Sequence, residues 1–224
     1  HVNINYRYNA QEVYYILDNA DAQTIVYSSD FRDIIAELKP QLDNVATFVE
    51  VTTAGQVLNG SFAYDTLCTE GEGPALQLKR EGTDHLFIYT GGTTGMPKGV
   101  MWSHTAIREV QLDAMRKLGA APETMEQVKL MMGLMEVRPC ILPACPLMHG
   151  TGLLTALGAM MNGGCVVTTP AIGLDPEELW QAVAKNKVLS MAIVGDAFAK
   201  PLLKELDDNP DKYDLSEMLT IVSS

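Results

Sequence analysis

The sequence predicts an α/β protein: two packed subdomains with mostly parallel sheets flanked by helices. Three observations carry this. Short β-branched runs alternate with longer amphipathic runs along the 224 residues, and strands separated by helices favour parallel sheets. The stretch Gly119-Ala120-Ala121-Pro122-Glu123 interrupts that alternation near the middle. The length suits one large or two small domains. The expected division is residues 1–118, a linker with a helix over 119–138, and an incomplete second subdomain over 139–224.

The elements follow in order. Residues 10–19 read as a helix with Val13, Ile16 and Leu17 on one face and Asn9 at the N-cap. Residues 24–27 form a short strand. Asp30 is the expected cap of a helix over 31–38 that Pro40 stops. Residues 45–51 are a strand. Residues 52–83, rich in Gly, Thr and Glu, read as loop with a short helix over 64–68. Strands over 86–89 and 100–102 bracket a glycine-rich loop, and a helix over 105–118 follows, with Ser103 or Thr105 as its cap. A Met-rich helix carries Met125, Met131, Met132 and Met135, expected in core packing. Next come a strand at 140–142, a helix at 151–161, a turn at Asn162-Gly163-Gly164 and a strand at 165–169. Asp175-Pro176-Glu177-Glu178 is a helix start, with Asp at the N-cap, Pro at N1 and acids in the first turn. A strand at 188–194, a helix at 196–206 and a last strand from Leu219 complete the reading.

The loop is the most informative segment: Tyr89-Thr90-Gly91-Gly92-Thr93-Thr94-Gly95-Met96-Pro97-Lys98-Gly99-Val100. Successive glycines let backbone approach a ligand and turn N–H groups toward it. Thr90, Thr93 and Thr94 add hydroxyls, and Lys98 adds a positive charge. That set suits polyphosphate. It is not a Walker A loop, which needs G-x-x-x-x-G-K-[ST] opening a helix; here Lys98 follows Pro97 and an extended segment comes next.

These residues resemble the phosphate-binding signature of the adenylate-forming superfamily, Y-T-S-G-T-T-G-x-P-K-G-V. All positions but one match, Gly91 standing where Ser is common. The superfamily includes acyl-CoA synthetases, adenylation domains of peptide synthetases, and luciferases. The resemblance covers essentially the whole chain and only the middle of the family's large N-terminal domain. It therefore implies a fragment of an acyl-CoA synthetase-like N-terminal domain.

A second segment, Pro146-Leu147-Met148-His149-Gly150-Thr151-Gly152, resembles the family's P-L-x-H-x-x-G run beside the acyl pocket. What the resemblance implies is AMP-forming ligation of a carboxylic acid, fatty or otherwise, with ATP, Mg2+ and coenzyme A. Thr90, Gly91, Gly92, Thr93, Thr94, Gly95 and Lys98 would hold the nucleotide phosphates. Lys98 would also offset charge on departing pyrophosphate, and His149 and Gly150 would border the acid. The acyl-CoA synthetase branch is favoured by the P-L-M-H-G-T-G form. A peptide-synthetase-type adenylation domain and a non-catalytic nucleotide-binding module are the alternatives. The family's downstream T-E motif, its ribose-binding Asp and its C-terminal catalytic Lys do not occur here, so the fragment alone is not expected to turn over.

Composition excludes other classes. Hydrophobic content of 47% with 20% charged residues is ordinary for a globular protein. A net charge of −12 argues against nucleic acid and anionic membrane partners. Cys68, Cys140, Cys145 and Cys165 form no C-x-x-C pair and read as free thiols in a reducing, cytoplasmic setting. No signal peptide is visible, and the most apolar window is too short for a bilayer. No metal site built from protein alone is evident.

Overall fold

The alternation read from the sequence is realised in this computed structural model, which describes residues 1–52, 55–69, 77–91, 95–117, 119, 121–136, 138–171 and 173–224. The chain divides into two compact units, His1–Ser103 and His104–Ser224. The helix after the glycine-rich loop thus falls in the second unit.

The first unit runs β1 (Val2–Asn3), α1 (Ala10–Asn19), β2 (Thr24–Ser28), α2 (Arg32–Leu38), β3 (Thr47–Val51), β4 (Phe62–Ala63), α3 (Tyr64–Thr69), β5 (His85–Thr90) and β6 (Lys98–Ser103). Asn9 caps α1 through a reciprocal box with Glu12: the Glu12 N–H donates to Asn9 Oδ1 at 3.1 Å, and the Asn9 N–H donates to Glu12 Oε2 at 2.9 Å. The cap expected at Asp30 lies at Ser28 instead, whose hydroxyl accepts from the Asp30 N–H and opens a 3-10 turn, Ser29–Phe31, ahead of α2. Pro40 sits inside a second such turn, Lys39–Gln41, so the chain tightens there before leaving the helical path.

Two sheets form in this unit. β2, β3 and β4 are parallel. β1 is parallel to β5, and β5 is antiparallel to β6. Val13, Leu17, Ile25, Ile35, Leu38 and Phe48 lie in the core between α1, α2 and β2–β3.

Glu50 of β3 is fully buried. Its carboxylate accepts from Arg32 Nε at 3.0 Å and also from Arg32 Nη2, from the Tyr27 hydroxyl at 2.9 Å and from the Leu58 N–H at 2.8 Å. A buried carboxylate needs such a set, since desolvating it unpaired is costly. The cluster ties β2, β3, the start of α2 and the segment after β3 into one body.

The second unit runs α4 (His104–Lys117), α5 (Met125–Leu134), β7 (Cys140–Pro143), α6 (Gly150–Met161), β8 (Cys165–Val166), α7 (Pro176–Asn186), β9 (Ser190–Ile193), α8 (Asp196–Asp208) and β10 (Thr220–Ser223). Its strands form one parallel sheet in the order β10-β9-β7-β8. Leu142, Trp180, Val183, Val188, Met191 and Leu202 build the core. The Trp180 Nε1–H donates to the Leu202 carbonyl at 2.9 Å, which satisfies the indole in that apolar setting. Asp175 caps α7 by accepting from the Glu178 N–H at 3.1 Å, with Pro176 at N1 as read from the sequence.

The Met-rich helix is where the packing expectation is corrected. α5 is capped by a Thr124–Gln127 box, yet it buries none of its described side chains, and Met125 and Leu130 are exposed. Its apolar residues spread around the helix, which gives it no single face for a core.

Glu50→Gln keeps the side-chain shape and removes the charge. The Arg32 guanidinium, ahead of the Leu58 and Tyr27 hydrogen bonds, holds the Glu50 carboxyl below the ordinary carboxylate value, against the opposing effect of burial. A depressed folded-state value stabilises above the unfolded pKa of about 4.3 and loses that contribution as pH falls through the folded value. The wild type should be the more stable at pH 7 by roughly 2 kcal/mol, below the ~3–5 kcal/mol of fully buried pairs because Arg32 is partly exposed. The gap should close below about pH 4. Urea unfolding across pH checks this; parallel pH profiles for the two proteins would refute it.

Candidate active site

The glycine-rich loop closes an antiparallel hairpin. β5 and β6 pair from His85↔Ser103 to Thr90↔Lys98, so the seven residues 91–97 form the connection. Gly92, Thr93 and Thr94 lie outside the described residues. Thr90 and Lys98 face each other across the mouth of the loop, and both are exposed. Lys98 has no ion-pair partner among the described residues.

The loop's base is anchored from below. Leu86, Ile88 and Tyr89 of β5 are buried. The Tyr89 hydroxyl donates to Asn19 Oδ1 at 2.7 Å, which links the hairpin to the end of α1. Burial pushes the Tyr89 phenol above its ordinary pKa and keeps it a donor. Gly99 lies flat against that ring: a Cβ there would meet Tyr89 Cζ at 3.0 Å. Gly95 has φ +136°, a conformation L side chains rarely adopt. The described residues place no such demand on Gly91: among them, a Cβ there would meet the Tyr8 hydroxyl at 3.8 Å.

The second segment leads from β7 into α6. His149 is the N-cap of α6, its Nδ1 accepting from the Thr151 N–H at 3.3 Å. An accepting Nδ1 places the ring proton on Nε2, so the neutral imidazole presents an N–H on its outer edge. The His149 side chain is exposed. Gly152 explains why the run needs glycine: a Cβ there would stand 2.8 Å from the carbonyl oxygens of both Cys145 and Pro146. The first turn of α6 therefore sits directly on the backbone that follows β7.

The carboxyl ends of the parallel strands meet at this turn. The Thr151 hydroxyl donates to Ser224 Oγ at 2.7 Å, just beyond β10. The Gly195 N–H donates to Ser223 Oγ at 3.1 Å, joining the end of β9 to β10. The Ala144 N–H donates to the Ala192 carbonyl at 2.9 Å, joining β7 to β9. Open α/β sheets bind ligands outside the carboxyl ends of their strands, and the free amides of a helix N-terminus favour negative charge. Thr151, Gly195, Ser223 and Ser224 were not singled out in the sequence. A glycine or serine at or just past the end of an apolar strand is the signal that marks Gly195, Ser223 and Ser224, and Thr151 stands inside the second motif.

Lys98 and His149 belong to different compact units. Met148, adjacent to His149, is partly buried, whereas Met160 on α6 is exposed. Among the described residues, no group of three or more His, Cys, Asp or Glu side chains gathers in a way that could hold a metal ion.

The α/β fold, the hairpin loop and the capped helix define a class, and comparison with known proteins gives its family. A model of the AMP-binding enzyme family matches residues 1–224, and the chain belongs to that family. It is 31% identical over 236 residues to a medium/long-chain-fatty-acid–CoA/3-oxocholest-4-en-26-oate–CoA ligase of Mycolicibacterium smegmatis, in a match covering 100% of this chain and 41% of that protein. It is 32% identical over 238 residues to a 3-oxocholest-4-en-26-oate–CoA ligase of Rhodococcus rhodochrous, again covering 100% of this chain and 41% of the relative. The crystal structure of an anthranilate CoA ligase in complex with anthranoyl-AMP superposes with a TM-score of 0.75 at 18% identity, over 99% of this chain and 40% of that one. That last likeness is one of fold. The chain spans about two fifths of the length of the relatives it matches.

Two glycines separate by their surroundings. Gly152→Ala should destabilise the second unit by roughly 1–3 kcal/mol, because backbone carbonyls cannot yield to the new methyl. Gly133→Ala on α5, with nothing within 4 Å of its Cβ, should stabilise by about 0.5–1 kcal/mol through helix propensity. Thermal unfolding of both variants checks the pair. A neutral Gly152→Ala would mean that α6 does not rest on Cys145 and Pro146 as described.

Proposed function

We propose that the full-length protein is an AMP-forming acid–thiol ligase acting on apolar carboxylic acids. The observation that carries this reading is the hairpin loop with Lys98 set opposite Thr90, in a chain that matches the AMP-binding family over its whole length. In the first half-reaction a carboxylate oxygen attacks the α-phosphorus of ATP. The bond to the β-phosphate breaks and pyrophosphate leaves. In the second, the sulfur of coenzyme A attacks the acyl carbon and AMP leaves.

The protein's part in the first step is positioning and charge stabilisation. Thr90, Gly91, Gly92, Thr93, Thr94 and Gly95 are proposed to hold the β- and γ-phosphates, and Lys98 to offset charge on the departing pyrophosphate. Exposure of Thr90, Gly91, Gly95 and Lys98 supports this. His149 is proposed to border the acid, offering its Nε2–H to the carboxylate, with Gly150 letting the acid approach the first amides of α6. Magnesium would arrive with the nucleotide and screen its phosphates.

Medium- or long-chain fatty acids and the steroid acid 3-oxocholest-4-en-26-oate, named for two relatives, define the proposed substrate class. A cytoplasmic setting, where ATP, coenzyme A and free thiols coexist, is part of the proposal. No described helix is long and apolar enough to cross a membrane.

The test is acid-dependent ATP–pyrophosphate exchange by the full-length protein, over a panel of fatty and steroid acids without coenzyme A. Lys98→Ala should lower the exchange rate by roughly 10²-fold or more, the scale of one lost charge-stabilising group. Gly91→Ser should leave folding within about 0.5 kcal/mol of wild type and lower the KM for ATP. An exchange rate unchanged in Lys98→Ala removes that lysine from the chemistry. No exchange with any acid, from folded protein that binds ATP, would favour a nucleotide-binding module. The 224-residue chain, about two fifths of its relatives' length, should not complete acyl-CoA formation by itself; robust turnover by it would contradict that expectation and leave the ligase reading standing.

A further inference from the structure

Away from the loop and the α6 cap, two nucleophilic side chains touch. Cys140 opens β7 and Cys165 opens β8, and the parallel register sets them directly opposite each other. Their Sγ atoms are 2.8 Å apart, and both are free thiols. Roughly 0.8 Å of further approach would reach the ~2.05 Å of a disulfide bond.

The approach is built by backbone. Asn162-Gly163-Gly164 turns the chain from α6 into β8. The Cys165 N–H donates to the Pro139 carbonyl at 2.9 Å. Gly164 passes so close that a Cβ there would stand 2.5 Å from that same oxygen. Only a glycine lets the two strands meet here, and their meeting brings the sulfurs together.

The two thiols differ in access. Cys165 is exposed, whereas Cys140 is buried at 6% exposure. Burial, followed by the neighbouring Cys165, pushes the Cys140 thiol up to about 12. Cys140 therefore stays protonated and hidden, and Cys165 is the sulfur that a solution oxidant meets first.

We propose that Cys140 and Cys165 form a redox modification site that a hydroperoxide converts to a disulfide. The proposal stands apart from the ligase reading. With hydrogen peroxide, the Cys165 thiolate attacks one peroxide oxygen; the O–O bond breaks, hydroxide leaves, and sulfur becomes a sulfenic acid. The Cys140 sulfur then attacks the Cys165 sulfur. The S–O bond breaks, the Cys140 proton joins the departing oxygen, and water leaves. Two thiols are oxidised by one peroxide, which is reduced to two waters. Held contact offsets the small thiolate fraction of Cys140 in the second step. The bridge would staple β8, a two-residue edge strand, to β7 and close a loop containing all of α6.

The experiment exposes the reduced full-length protein to hydrogen peroxide, alkylates the remaining thiols, and maps peptides without reductant. The expected product is a linked pair of peptides carrying Cys140 and Cys165, about 2 Da lighter than their sum and released by dithiothreitol. In Cys140→Ser, Cys165 should pass on to sulfinic acid, about 32 Da heavier, for want of its resolving thiol. Should that variant fail to fold, Cys165→Ser at the exposed position carries the test: Cys140 should remain alkylatable after denaturation. Three results would overturn the proposal. They are a Cys165 sulfinic acid without a bridge in wild type, a bridge from either residue to another cysteine, or equal Cys140 oxidation with and without Cys165.

Discussion

The register of the β5–β6 hairpin governs what the glycine-rich loop can be. Pairing Tyr89 with Gly99 and Thr90 with Lys98 leaves seven residues to span the turn and puts the lysine at its root. That register lays the Tyr89 ring where a Gly99 side chain would be. The ring is in turn held by its hydroxyl on Asn19. A slip of one residue would send Lys98 to the opposite face and part the ring from its glycine. The position of the charge is thus set by strand register and packing, and Lys98 has no ion-pair partner among the described residues.

The second unit solves a different problem by similar means. Four parallel strands direct their carboxyl ends toward one edge. Short polar links there, Thr151 to Ser224, Gly195 to Ser223 and Ala144 to Ala192, brace three strands and one helix end. The His149 ring caps α6 through Nδ1, so capping and ligand contact need not compete for the same nitrogen. The observed cap and the proposed ligand contact are compatible on one ring.

Much of this was legible because it is local. The Asn9 cap, the Asp175-Pro176 helix start and the strands around the loop are written in residues close together in the chain. The proposed phosphate-binding residues were legible as a motif for the same reason. Features that depend on distant partners were not. Glu50 reads as one charged residue in a strand, and nothing in its neighbourhood announces Arg32, eighteen positions earlier. Cys140 and Cys165 match no spacing motif because parallel pairing, not proximity in sequence, joins them. The Met-rich helix misled because composition suggests burial without naming what would cover it. Ser28 rather than Asp30 caps the turn before α2 because a 3-10 turn, invisible to helical periodicity, comes first.

The loop motif itself has two physical origins. Tyr89 and Pro97 are buried, and Gly99 is fixed by the Tyr89 ring. These positions make the hairpin, and a protein that kept only the fold would need them. Thr90, Gly91, Gly95 and Lys98 are exposed. Thr90 and Lys98 satisfy no described neighbour's packing, and an exposed lysine at this register does nothing for a hairpin that a smaller polar residue would not do. Their presence bears on the proposed ligand binding, whereas Tyr89, Pro97 and Gly99 bear on fold. The single departure, Gly91 for the more usual Ser, falls in the exposed set. It changes the donor inventory of the loop and leaves the scaffold that positions Lys98 untouched.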